Sequence, residues 1–147
     1  MNDTSKNTIF NQLIDLQLEP KWYDESKIEF KYNHKFMVLE FDMADENIIT
    51  VTHCEFFING NEHYKQIFDH VALKISSRYH FVKIISDQCH YSARYELSLY
   101  QIENFADELT YILEKIKSAI HEFFLRLDII EEDLSVKNSV INQINLN

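Results

Sequence analysis

The chain has one glycine, Gly60, and one proline, Pro20, in 147 residues. Phosphate-cradling loops, dinucleotide fingerprints and nucleophile elbows all place glycine where the backbone turns sharply or approaches a ligand. With a single glycine none of them can be built, so no catalytic residue and no cofactor is expected from those classes. Cysteine is as sparse. Cys54 and Cys89 allow at most one bridge, which is no disulfide framework, and both are read as reduced thiols. Basic residues are in deficit, with 14 Lys and Arg against 24 Asp and Glu and a net charge of -10. Such a surface repels a phosphate backbone instead of releasing its counterions, which argues against nucleic acid as a partner. No stretch approaches the ~18 apolar residues of a membrane span. Residues Met1 to Asn7 lack the basic-then-apolar pattern of a secretory signal. The expectation is a cytoplasmic protein of bacterial type that makes no membrane contact.

What is present is an ample supply of core residues. The chain is 46% hydrophobic and 14% aromatic, with 11 Phe and 8 Tyr. A chain of this length buries roughly 68–70% of its unfolded surface as one domain. Residues 1–130 are read as a single α+β domain, and 131–147, rich in Asn and acidic residues with scattered Leu, Val and Ile, as a polar tail that is at most partly ordered.

Hydrophobic spacing sets out the elements. Ile9, Phe10, Leu13, Ile14 and Leu16 to Leu18 follow a helical period behind Thr4 or Ser5 as caps, with Pro20 as the stop. Lys27 to Tyr32 alternates strictly, with Ile28, Phe30 and Tyr32 on one face. Asn33-His34 is a two-residue turn into a strand from Lys35 to Asp42, and a third strand spans Asn47 to about Phe57. From Asn61, a candidate cap, Tyr64, Ile67, Phe68, Val71 and Ile75 share a helical face up to about Ser77. Strands over 79–86 and 91–99 follow. Then Ile102, Phe105, Leu109, Ile112, Ile116, Ala119, Phe123, Leu127 and Ile130 step by three or four along one helix of about 101–130. With so little glycine, Asn and Asp are expected to make the turns, few special backbone conformations are expected, and Gly60 is read as the hinge between the meander and the second helix.

The order helix, three-strand antiparallel meander, helix, two-strand hairpin and long helix resembles the type III secretion chaperone-like fold, including the YbjN family of small bacterial proteins. The residues that carry the likeness are the early helix, Ile28-x-Phe30-x-Tyr32 leading into Met37-Val38-Leu39-Glu40-Phe41-Asp42, the Asn61 helix, the second strand pair and the final helix. The resemblance implies an acidic, often dimeric, non-enzymatic protein that binds other polypeptides. A helix-grip fold, also ending in a long helix across a curved sheet, is the alternative architecture.

Two constellations have a chemical reading and a plainer one. His53-Cys54 and Cys89-His90 offer the ligand types of a zinc site. Strand neighbours point to opposite faces, however, and the ligand spacing of a structural site is missing, so no metal is expected. Glu40 and Asp42, with Arg94 and Glu96, can be drawn as an acid/base cluster, yet they fit the solvated face of a one-sided sheet.

Two features exceed what a monomer needs. Ile48, Ile49 and Val51, and then Phe81, Val82, Ile84 and Ile85, make two strands apolar on both faces, so that something is expected to cover the second face. Phe123, Phe124, Leu125, Leu127, Ile129 and Ile130 wrap most of the last helix, which is the pattern of a buried helix. Either the tail or the first helix covers these residues, or they form a surface for another chain. Phe124, Leu125 and Ile129 are the candidate residues of that surface. The expected function is therefore a chaperone-like or adaptor-like module that binds a polypeptide partner and forms a homodimer. The alternatives are a small-ligand-binding helix-grip protein and an acidic inhibitor of a basic toxin.

Overall fold

The protein is described by a computed structural model covering residues 3–45, 47–98 and 104–146, with side chains of the last helix described through Ile130. Helix α1 (Asp3–Asp15) is followed by strands β1 (Lys21–Trp22), β2 (Lys27–Tyr32), β3 (Lys35–Phe41) and β4 (Ile48–Ile58). A 3₁₀ turn (Glu62–Tyr64) leads into α2 (Lys65–Arg78), then β5 (Val82–Asp87), β6 (His90–Ser98) and α3 (Phe105–Leu146). The strands form one antiparallel sheet in the order β1-β2-β3-β4-β6-β5. The α+β class and the expected element order hold, with one strand more than the sequence suggests. The expected positions Leu99 and Ile102 lie outside the described residues.

Alternation along the strands builds the core. Ile28, Leu39, Val51, Tyr95 and Val82 are cross-strand partners in one row, and all five are buried. The neighbouring inward row is Phe30, Met37, His53, Ala93 and Ile84, in which His53 is the one polar member. Against these rows pack Ile9 and Leu13 of α1, Val71, Ala72 and Ile75 of α2, and the stripe from Phe105 to Leu127 of α3. The helices therefore share one face of the sheet.

The other face is polar. Lys27, Glu40, Thr50 and Glu96 are partners in one outward row, and Glu29, Val38, Thr52, Arg94 and Lys83 in the next. The expectation that β4 and β5 need cover on both faces is corrected by this register. Ile48 and Ile85 are only partly exposed, and the groups between them are Thr, Ser, Lys and Arg, which water solvates directly. Edge strand β5 is protected by α2, where Ser76 Oγ accepts the Ile84 N–H at 2.8 Å and Lys83 Nζ donates to the Ser76 carbonyl at 2.8 Å.

Three sequence readings change. Helix α1 ends well before Pro20, because Gln17 takes a left-handed φ of 59° while Leu18 N–H and Gln17 N–H donate to the carbonyls of Leu13 and Ile14. That pairing is a Schellman stop with glutamine in the place usually held by glycine. Strand β1 adds to the expected elements, since two residues carry no periodicity. It is held by pairing with β2 and by Trp22, stacked on Phe10 at 5.4 Å and Phe41 at 6.2 Å. Finally, α3 does not stop near residue 130: its backbone stays helical to Leu146, through the segment read as a tail.

Candidate partner-binding surface

The far end of the sheet is organised by a bulge in β4. Pairing with β6 shifts between His53 and Phe57, Glu55 adopts φ 49°, and its N–H donates to Ser92 Oγ at 2.9 Å. Cys54, Glu55 and Phe56 stand opposite Ser92 alone, and these two extra residues let consecutive Phe56 and Phe57 both turn toward the core, which regular alternation forbids. They meet Phe68, Tyr91, Phe123 and Phe124 in one aromatic cluster. Phe57 lies edge-on to Phe68 at 5.3 Å, and Phe56 edge-on to Phe123 at 5.3 Å. Edge-to-face pairs add stabilisation beyond burial alone.

Tyr91 ties this cluster to α2 by donating its hydroxyl hydrogen bond to Asp69 Oδ1 at 2.6 Å, while Lys65 Nζ holds Asp69 Oδ2 at 2.6 Å. Burial first, and the bond to Asp69 second, push the Tyr91 phenol up to about 12. Burial alone would raise the Asp69 carboxyl. The hydrogen bonds from Lys65, Tyr91 and Ser86, with the Lys65 charge, outweigh it and hold that group below its ordinary value.

The three sequence-selected residues divide here. Phe124 is anchored inside the chain, edge-on to Phe57 at 5.7 Å and to Phe123 at 5.7 Å, and is 37% exposed. Leu125 and Ile129 are 48% and 58% exposed and lie one helical turn apart on a common face. Because α3 runs on as helix to Leu146, the tail does not fold back over them.

A second apolar surface went unread in the sequence. Two adjoining depressions of about 390 Å³ and 550 Å³ share Phe81, Tyr95 and Tyr111 as lining. They lie between the β5–β6 side of the sheet and α3. Tyr95 is buried and tilted against Phe81 at 5.7 Å, whereas Phe81 and Tyr111 are 55% and 56% exposed. One depression carries Arg78, His80 and Lys115, and the other Glu96 and Glu108. The Lys115 ammonium sits over the Tyr111 ring at 5.1 Å, and Arg78 Nη1 donates to Glu122 Oε1 at 2.6 Å. The available signal was Tyr111, an aromatic one position off the buried stripe. Phe81 just precedes β5, whereas the strand expected over 79–86 includes it.

The chemical constellations do not converge. His53 faces inward while Cys54 is exposed, and both cysteines are free. Although the residue is exposed, partial desolvation of its sulfur, chiefly, and the Glu55 charge push the Cys54 thiol up, away from its reactive thiolate. Among the described residues no three His, Cys, Asp or Glu side chains are placed to hold a metal ion. Asp42 caps its own turn, accepting from the N–H groups of Ala44 at 2.7 Å and Asp45 at 3.0 Å. Those bonds hold its carboxyl below the ordinary value. Glu40 and Glu96 stand on the solvated outer face, separated by Thr50.

Comparison with known proteins supports the fold. No family model matches the sequence, and no curated protein does. Among solved structures, YbjN of E. coli superposes with a TM-score of 0.58 at 12% identity, over 86% of this chain and 93% of that one. The HopA1–SchA chaperone–effector complex matches with a TM-score of 0.54 at 12% identity, over 80% and 96%. The type III secretion chaperone SycH of Yersinia pestis, solved with a fragment of YscM2, matches with a TM-score of 0.50 at 15% identity, over 78% and 98%. The chain thus has the fold of YbjN and the secretion chaperones, the first of the two architectures its sequence suggests.

Among the described residues no helix is long and apolar enough to cross a membrane.

Proposed function

We propose that the chain is a non-enzymatic, chaperone-like module of the cytoplasm that binds a polypeptide, built on one α+β domain of residues 1–130. The observation that carries this reading is the groove of Phe81, Tyr95 and Tyr111, where two large aromatic rings stay more than half exposed side by side over buried Tyr95, between the sheet and α3. Exposed aromatics beside an open groove are the anchors that protein interfaces use. The groove is open along its length and charged at both ends, which suits an extended segment better than an enclosed small molecule. Two of the similar structures are chaperones solved with a polypeptide bound, which supports the same reading.

The test is affinity purification of the tagged chain from its own cells beside the Phe81→Ser/Tyr111→Ser variant. The expected result is a stoichiometric polypeptide with the wild type and at least a tenfold loss with the variant, about 1.4 kcal/mol of binding. Equal recovery by both proteins, or no stoichiometric polypeptide with either, would count against the reading.

A further inference from the structure

Away from the aromatic groove, a smaller depression of about 200 Å³ opens between the β2–β3 hairpin and α3. Its lining includes Met37, Leu113, Ile116 and Ile120, of which the first three are buried core residues. His53, the polar member of its inward row, also lines it. Lys35 and Lys117, both exposed, line it too, and neither forms an ion pair among the described residues. The neighbouring carboxylate, Glu114, already accepts the Tyr32 hydroxyl at 2.7 Å. On a protein of net charge -10, an apolar hollow carrying two ammonium groups without an ion-pair partner among the described residues is a place where a carboxylate is favoured.

Volume and charge together describe the occupant. The hollow is of the size of one Leu, Ile or Phe side chain, and its apolar lining favours burial of such a group. The two lysines would meet a carboxylate held close to that side chain, and the His53 imidazole could contribute a further hydrogen bond. We propose that this depression is an anchor pocket for a polypeptide residue, taking a large apolar side chain flanked by aspartate or glutamate. The inference rests on the chain's being a polypeptide binder and names the chemistry of one contact. The pocket selects for acidic flanks, which the overall charge of the protein would otherwise repel.

The probes are three acetylated, amidated hexapeptides titrated into ¹⁵N-labelled protein: Ser-Asp-Leu-Glu-Ser-Gly, its Asn/Gln counterpart and its Ala-for-Leu counterpart. The acidic leucine peptide is expected to shift the Asn33 and Lys117 amides and the His53 ring saturably. The other two should bind at least tenfold more weakly. Lys35→Glu/Lys117→Glu, at exposed positions, should keep the wild-type spectrum and lose the preference for the acidic peptide. Should that variant fail to fold, Lys35→Gln/Lys117→Gln makes the same comparison.

Equal response to the acidic and neutral peptides, or no response to any at millimolar concentration, overturns the proposal. Octanoate binding more tightly than the acidic peptide would assign the pocket to a free amphipathic acid and overturn it as well. A protein that recovers its partner through Phe81 and Tyr111 yet ignores these peptides would lose this inference alone, so the two failures are distinguishable.

Discussion

At the residue scale, the shortage of glycine has a consequence opposite to the expected one. Gln17, Glu19, Asn33, His34, Glu55 and Gln88 all take positive φ, while no glycine does. The expectation of few special backbone conformations is therefore corrected, and only one of these positions is an asparagine. Turn geometry dictates φ, and the chain meets it with residues whose Cβ makes the left-handed region costly, by roughly 1–3 kcal/mol each. Asn33-His34, with φ 48° and 63°, has both central residues of its hairpin in that region, as a type I′ turn requires. His34→Gly, Glu55→Gly and Gln17→Gly are each expected to raise stability by about 1 kcal/mol, read as a higher urea midpoint at unchanged slope. Gly60, in contrast, has an ordinary φ, and a Cβ added there meets nothing within 4 Å. It lies between β4 and the 3₁₀ turn, where the sequence reading puts a hinge, but nothing at the position demands glycine. Gly60→Ala should stabilise by ~0.4–1 kcal/mol through the unfolded chain, and a lowered urea midpoint would show that the loop needs glycine after all.

At the scale of elements, what could be read from the sequence was what repeats locally. The alternation of Ile28, Phe30 and Tyr32 and the three-four stepping of α3 each reflect one periodicity and one buried face, so both were legible. The Asn61 cap was legible too, and its side chain accepts the His63 N–H at 3.0 Å. Strand β1 and the order β4-β6-β5 depend on partners distant in sequence, which no local pattern encodes. The end of α3 was misread because Asn-rich and acidic composition suggested a tail. Yet the segment contains neither Pro nor Gly to stop a helix already nucleated. One tie between elements has a pH signature. Tyr91, raised to about 12 from an ordinary value of 10.0, contributes stability that is fully present below pH 10 and is lost as pH climbs toward 12. Asp69, held below its ordinary 3.8, contributes stability present above that value and lost as pH falls through its depressed one. Tyr91→Phe should cost about 1 kcal/mol at pH 7 and flatten the alkaline limb of a stability–pH curve. An unchanged alkaline limb would show that the hydroxyl is not what couples β6 to α2.

At the scale of the whole molecule, the candidate surface read on the last helix, Phe124, Leu125 and Ile129, divides between the aromatic cluster and solvent. An all-round apolar stretch near residues 123–130 was visible. The β4 bulge that draws Phe124 into the aromatic cluster was not, since a bulge leaves no mark in the spacing of Phe56 and Phe57. The groove between Phe81 and Tyr111 was invisible for a related reason: its walls lie on separate elements brought together only by the sheet order. What remains of the original surface is Leu125 and Ile129, exposed side by side on α3. The obvious intramolecular cover is absent, because the segment that would have folded back continues as helix. In a two-fold dimer formed through this face, each copy's Leu125 would meet the other's Ile129. The wild type is therefore expected to be a dimer by light scattering at micromolar concentration. Leu125→Glu together with Ile129→Glu, which sets the new carboxylates of each copy against those of the other, should give a monomer with unchanged circular dichroism. Substitutions at exposed positions shift folding stability by only about 0.5 kcal/mol, so loss of the dimer without loss of the fold is the discriminating result. Mixing Leu125→Glu with Ile129→Lys as two singly substituted proteins should, in contrast, restore pairing across the seam, as Glu meets Lys from the partner. A wild type that scatters as a monomer would remove the seam, and with it the case that these two residues face a second copy.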